Sequence, residues 1–216
     1  MNRSCHLKFH FFVSLFILTG CHLFISCSDT EPRLNTVASY VVLDYQEDGK
    51  IYDCRLAVFA DAASDVRRVS KIEVESKGAR LRWVSDSPEI FSSNGKSWAG
   101  YSSFTLPHVD GISGTYILNY YDALERNYEQ VFTVAFPEDI YKLTLKELDQ
   151  YSEFPKLQKV IIYNEDNDVI YYGNLQESWN NCEKLFMDNK NSYAYRKCVV
   201  ISELKTVCLL PPVYRK

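Results

Sequence analysis

Histidine is scarce in this chain, and its placement limits the chemistry. There are four histidines, and His6, His10 and His22 all lie near the N-terminus. A histidine-based zinc site needs at least two such ligands or several closely spaced cysteines. A Ser–His–Asp or Cys–His centre would have to use His108, which lies in a turn-like sequence with no Gly-x-Ser-x-Gly motif. We therefore predict no catalytic residue, no metal site and no cofactor.

A complete calcium-binding loop is also missing. The acidic stretch 164–168 has the spacing of the start of such a loop, but Val169 follows it where glycine is required. Leu175 occupies the twelfth position, where a glutamate would bind the ion. This pattern predicts a hairpin turn instead.

Basic residues are fewer than acidic ones. The chain has 24 lysines and arginines against 28 aspartates and glutamates. Arg3 and Lys8 belong to the N-terminal segment, so the rest of the chain carries a net charge of about −6. This charge argues against nucleic acid or an anionic bilayer surface as a partner.

The N-terminal segment has the order of an export signal. Arg3 and Lys8 precede an apolar run over 11–18, small residues and a cysteine follow, and the sequence turns polar at Ser28. A membrane span needs roughly 20 apolar residues. The apolar stretch here is shorter and contains His22, so a signal is favoured over a transmembrane anchor.

Two short sequences in this segment, each ending in a cysteine, resemble the lipobox of bacterial lipoproteins. In a lipobox, a peptidase cuts before a cysteine that carries diacylglycerol. The sequence ending at Cys21 is the closer match to the common pattern, whereas that ending at Cys27 resembles the relaxed lipoboxes of spirochaetal lipoproteins. Cleavage before Cys27 leaves a polar tether, whereas cleavage before Cys21 would leave Cys27 as a free thiol. We favour Cys27, with Cys21 as the alternative. The resemblance implies attachment to a membrane through an N-terminal lipid in the cell envelope, on the periplasmic side or at the outer membrane.

Cleavage at Cys27 leaves four cysteines, which allow three pairings. Residues 198–201 and 206–209 have the pattern of two strands. An odd-length loop between them would place Cys198 opposite Cys208, where a disulfide could form. An even loop would point the two side chains to opposite faces. We predict the Cys198–Cys208 disulfide, with two buried thiols as the alternative.

Residues 37–137 read as a series of short strands. Segments 39–44 and 51–60 flank an Asp48-Gly49 step, which is a strong hairpin signal. About seven strands with no helical segment between them indicate a two-sheet sandwich.

Within this region, the segment from Gly114 through Tyr116 to Asp122-Ala123 resembles the penultimate strand of Ig-like or fibronectin type III-like bacterial domains. The resemblance implies a mainly β fold with an Ig-like antiparallel β-sandwich. It also implies that Tyr116 packs at a corner of the sandwich with its hydroxyl bonded to backbone. Such domains serve many functions.

The C-terminal part changes in composition. Thr144 and Glu147 fit a capping box for a helix over 145–152. A hairpin follows, and Asn174 with Glu177 suggests the cap of a second helix. We expect a small α+β C-terminal unit packed on the sandwich. The predicted divisions are a signal peptide 1–26, a tether 27–36, the sandwich 37–137 and the C-terminal unit 138–216.

Tyrosine is abundant, and all sixteen residues follow the signal segment. Neighbours on a strand point to opposite faces, so one of each adjacent pair is expected to point outward. Tyr121, Tyr171 and Tyr172 are the candidate binding residues, since tyrosine presents apolar area with a polar tip. Cross-strand packing is the alternative use of these side chains.

These observations predict an exported, lipid-anchored envelope protein that acts as a non-catalytic protein-binding or assembly module. Two alternatives remain from the sequence. One is a hydrolase of an envelope polymer that uses two carboxylates, and the other is a purely structural lipoprotein.

Overall fold

A computed structural model describes residues 34–62, 66–106 and 111–215. The candidate lipidation sites Cys21 and Cys27 lie outside these ranges, as does His108. The thirteen strands among the described residues are β1 Leu34–Tyr45, β2 Ile51–Ala62, β3 Val69–Ser76, β4 Leu81–Ser85, β5 Glu89–Ser93, β6 Lys96–Thr105, β7 Gly114–Asp122, β8 Asn127–Val134, β9 Leu157–Tyr163, β10 Val169–Asn174, β11 Ala194–Ile201, β12 Thr206–Leu209 and β13 Val213–Tyr214. The α-helices are α1 Glu138–Lys142, α2 Leu145–Gln150 and α3 Cys182–Asp188.

The strands form two sheets. A nine-stranded sheet has the order β10-β9-β11-β12-β1-β2-β6-β5, with β13 also paired to β11, and a four-stranded sheet has the order β4-β3-β7-β8. The fold is therefore mainly β with two packed sheets, which confirms the predicted fold class.

The main core lies between the sheets because alternate residues of each strand point inward. Leu43 and Leu56 from the nine-stranded sheet are fully buried, as are Ile72 and Leu118 from the four-stranded sheet. All four belong to one apolar cluster. Burying a side chain of this size contributes about 1.5–3 kcal/mol to the free energy of unfolding.

The C-terminal strands extend the first sheet edge to edge. β12 pairs in parallel with β1, with Val41 beside Thr206 and Asp44 beside Leu209. Through this pairing, the C-terminal strands from β9 through β13 are attached to the sandwich strands by backbone hydrogen bonds. The sequence instead predicts a unit packed on the sandwich. β1 begins at Leu34, within the predicted tether. The division into folding domains stays a prediction.

The tyrosine at the start of β7 occupies the corner that the resemblance implied. Tyr116 is 1 % exposed, and its hydroxyl donates to the carbonyl of Ile112 at 2.7 Å. The bond closes the segment that leads into β7, and the ring stacks on Phe132 of β8 with centroids 5.5 Å apart. The expected backbone bond is confirmed.

The two predicted helix caps have different outcomes. The Thr144–Glu147 capping box is present, with both reciprocal bonds formed. The second prediction is wrong. Asn174 ends β10 and its side chain accepts from Lys159, while Asn181 caps α3 by accepting from the backbone N–H of Glu183 at 2.8 Å.

The predicted Cys198–Cys208 disulfide is also wrong. Ile201 pairs with Thr206, so the connection holds four residues, the even case. Cys198 therefore lies opposite Leu209 and Cys208 opposite Val199. The two side chains point to opposite faces, and both are free and buried.

Candidate binding surfaces

The nine-stranded sheet has a second face, which we call the outer face, directed away from the four-stranded sheet. Its side chains alternate with those of the main core. Val42, Ala57, Cys198 and Leu209 form a separate buried cluster there, with Phe59, Ile161 and Val207 packed around them. The floor of the outer face is thus apolar and built from four neighbouring strands.

A buried charge network crosses this floor. Asp44 on β1 is 1 % exposed. Its carboxylate forms an ion pair with Arg55 of β2 and another, at 2.8 Å, with Arg196 of β11. Arg55 also meets Asp53 at 3.2 Å, and Arg196 donates to the carbonyl of Leu210 at 2.8 Å. The charges balance, so this network holds strands together and leaves no net charge for a ligand.

Tyr121 points away from the core, but it is held in a polar cluster on the four-stranded sheet. Its hydroxyl donates to Glu73 at 3.3 Å, and the ammonium of Lys71 lies 3.9 Å from its ring centroid. Glu73 also pairs with Lys71 at 2.9 Å and with Arg82 at 2.7 Å. Burial alone would raise the pKa of Glu73, but these two cations outweigh burial and lower it. The ring and hydroxyl of Tyr121 are therefore both in contact with residues of its own sheet.

The adjacent tyrosines of β10 divide between the two faces. Tyr171 pairs with Ile162 and lies half-buried with its ring edge-on to Trp179, with centroids 5.3 Å apart. Tyr172 pairs with Ile161 on the outer face and is 57 % exposed. The structure thus places Tyr172 at the surface and Tyr171 in a secondary core.

Tyr172 belongs to an exposed apolar group on β10, an edge strand. We call Val169, Ile170 and Tyr172 the β10 surface. Their side chains are 58 %, 44 % and 57 % exposed. The ammonium of Lys159 lies 5.3 Å from the ring centroid of Tyr172. A register shift between Val169 and Tyr171 marks a β-bulge in this strand.

Tyr172 has a perturbed hydroxyl. Burial raises the pKa of Tyr172, and the charges of Cys198 and Tyr40 raise it further. Tyr40 lies on β1, which is separated from β10 by β12, β11 and β9, and its side chain is 41 % exposed.

A second exposed edge, which was not predicted from the sequence, lies at β5. β5 and β6 form a hairpin whose turn, Asn94-Gly95, has positive φ at both residues, as a type I′ turn requires. All five residues of β5 are exposed. Phe91 reaches onto the outer face, where its ring meets Phe59 edge-on with centroids 5.0 Å apart. The Asn-Gly step was the available signal for this hairpin.

Three cavities among the described residues can be compared with the geometry of an acid pair. Each is lined by one carboxylate residue: Asp149, Glu183 or Asp61. A glycosidase-like centre needs two carboxyl groups roughly 5–10 Å apart. No cluster of three or more metal-ligating side chains occurs in the ranges that the structure covers. No helix in those ranges has the length and apolar character to cross a bilayer.

The four described cysteines differ in burial. Burial raises the pKa of Cys54 to about 12, that of Cys198 to about 11 and that of Cys208 to about 12, whereas Cys182 is exposed. Because the thiolate is the reacting form, we expect a thiol reagent at pH 8 to modify Cys182 alone in folded residues 28–216.

The same sample unfolded in guanidinium should give four reactive thiols. Rapid modification of more than one thiol in the folded protein, or fewer than four after unfolding, would contradict this assignment. A Cys182→Ser variant is the control and should show no fast reaction when folded.

Comparison with known proteins assigns no family. No family model matches the chain, and no curated protein matches it. A search of solved structures finds "Crystal structure of DIP-gamma IG1+IG2", with a TM-score of 0.26 and 10 % sequence identity, covering 87 % of this chain and all of that one. The fold is defined by its strand pairing.

Proposed function

We propose that this chain is an exported, lipid-anchored protein of the cell envelope that acts as a non-catalytic protein-binding module. The observation that carries the proposal is the β10 surface, where three of four consecutive residues of an edge strand expose large apolar side chains. Exposed apolar groups concentrated in this way mark interaction sites. Aromatic side chains are also enriched at the centres of protein interfaces.

The tyrosine and lysine at this edge suit a protein partner. Tyr172 offers a broad apolar ring and a hydroxyl, and the ammonium of Lys159 beside it can pair with an acidic group. On the same outer face, the Asp44 network ties β1 to β2 and β11. We therefore expect a partner to bring an apolar side chain over Ile170 and Tyr172 and a carboxylate towards Lys159.

The lipobox-like sequence supports the anchor in this proposal. Six residues lie between Cys27 and Leu34, where β1 begins. Fully extended, the seven Cα–Cα steps from Cys27 to Leu34 span roughly 25 Å. A lipid on Cys27 would therefore keep the start of β1 close to the membrane.

Substitution at the β10 surface tests the proposal. We expect the Ile170→Lys/Tyr172→Ser variant to lose the partner that wild-type residues 28–216 retain from a detergent extract of the envelope. The matched control is Tyr52→Ser, because Tyr52 is 62 % exposed on β2 and away from β10. A partner retained equally by all three proteins would contradict the assignment of this surface.

A further inference from the structure

The edge strand β5 has unpaired backbone groups whose direction follows from the hairpin. Ser93 and Lys96 flank a two-residue turn and pair directly, which makes them a hydrogen-bonded pair. Hydrogen-bonded and non-bonded pairs alternate along an antiparallel ladder. Glu89, Phe91 and Ser93 therefore bond to β6, while the N–H and C=O groups of Ile90 and Ser92 point away from the sheet.

This edge lacks the usual protection against strand addition. Sheet edges are commonly blocked by a bulge, a proline or an inward charge. β10 has a bulge, and the edges of the four-stranded sheet carry Arg82 on β4 and Glu129 on β8. β5 pairs with β6 in an unbroken register, and residues 90–93 carry no charge or proline. β5 is thus the edge most open to another strand.

We propose that β5 pairs with β5 of a second copy of this chain, in an antiparallel arrangement centred on Phe91. In this register Ile90 lies opposite Ser92 of the other copy, and both present outward backbone groups. Four backbone hydrogen bonds then form across the twofold axis. The two copies of Phe91 meet as a non-hydrogen-bonded pair, the closer of the two pair types. Aromatic cross-strand pairs stabilise sheets.

Side-chain size favours the same register. Glu89 lies opposite the small side chain of Ser93 of the other copy. Its carboxylate accepts from the hydroxyl of Ser102 on its own β6 at 2.6 Å, and Lys96 pairs with Asp61 at 2.9 Å, so both charged groups already have partners when the copies meet. A register centred on Ile90 would instead place Phe91 opposite Glu89 of the other copy. A register centred on Ser92 would place Ile90 opposite the turn of the other copy.

The pairing of two five-residue strands is small compared with a standard interface, so the association is weak in dilute solution. Confinement on a membrane raises the effective concentration of the copies. The test is therefore made on the full chain in its native envelope, and it does not depend on the β10 surface or its partner.

Disulfide trapping tests the twofold register. In a Cys182→Ser background, Phe91→Cys places two thiols in a non-hydrogen-bonded pair, where a cross-strand disulfide fits. Ile90→Cys is the matched control, because Ile90 is 45 % exposed and Phe91 43 % on the same strand. We expect about tenfold more covalent dimer from Phe91→Cys, since the register separates the two copies of residue 90.

Adding Ser92→Pro should abolish trapping without lowering the unfolding temperature, because it removes an outward N–H that β6 does not use. Equal trapping at residues 90 and 91, no trapping at either, or a disulfide from residue 91 to a different protein would each overturn the proposal. Dimer that persists with Ser92→Pro would overturn it as well.

Discussion

Replacing Asp44 with alanine should lower the free energy of unfolding by about 3–5 kcal/mol, the largest effect expected from a single side chain here. Asp44 is buried and bridges Arg55 on β2 and Arg196 on β11. Its removal leaves two guanidinium groups close together on the outer face with no carboxylate between them. The loss should be greatest for the pairing of β12 with β1, since that pairing connects the C-terminal strands to the sandwich.

Urea unfolding of residues 28–216 measures this effect. Glu75→Ala is the control, because Glu75 pairs with Arg82 at 3.5 Å in a more exposed setting and should cost about 0.5 kcal/mol or less. The Asp44→Leu/Arg196→Met double variant should cost less than the sum of the single variants, since it removes the buried charge with its partner. Additive losses, or a loss below about 1 kcal/mol for Asp44→Ala, would show that the network is not coupled.

The second large effect is expected at Gly100, where we predict that alanine costs about 3 kcal/mol. A Cβ atom at this position would lie 2.0 Å from the carbonyl oxygen of Val58 and 2.6 Å from the Cα of Phe59. Both are backbone atoms of the paired strand β2, so no side-chain rotation relieves the contact. Glycine here also lets the ring of Phe59 lie across β6 towards Phe91.

Gly78→Ala is the matched control, because a Cβ there meets no atom within 4 Å. We expect that variant to be neutral or slightly stabilising. The two variants should differ in urea midpoint and, for Gly100→Ala, in the fluorescence of the nearby Trp98. Equal stability of the two variants would contradict the close approach of β2 and β6.

The strands with clear alternation were predictable from the sequence. The β1–β2 hairpin has its Asp48-Gly49 turn, and β3 alternates apolar and charged residues, so local patterns were sufficient. The β5–β6 hairpin was missed because Phe91, Ser92 and Ser93 show no alternation, although Asn94-Gly95 marks its turn.

The features that depend on long-range pairing were not predictable. Nothing local to Val41 or Thr206 indicates that β1 and β12 run side by side in parallel. The contact of Asp44 with Arg196 was not predictable for the same reason, because β11 is distant from β1 in sequence. The Cys198–Cys208 prediction failed on one detail, the length of the connecting loop, which decides the faces to which both thiols point.

The candidate site was predictable only in part. Adjacent tyrosines on a strand implied that one of each pair would face outward, and Tyr120 and Tyr172 illustrate the two outcomes, at 0 % and 57 % exposure. The sequence did not show that Tyr121 is held by Lys71 and Glu73, because those contacts cross between strands β3 and β7.

Site-specific crosslinking in the native envelope tests the binding proposal most directly. A photoreactive phenylalanine analogue replaces Tyr172 in one variant of the full chain and Tyr52 in the other, and adducts are identified by mass. We predict a discrete adduct with one other envelope protein from position 172 and none of that mass from position 52. The same adducts from both positions, or no protein adduct from position 172, would contradict it.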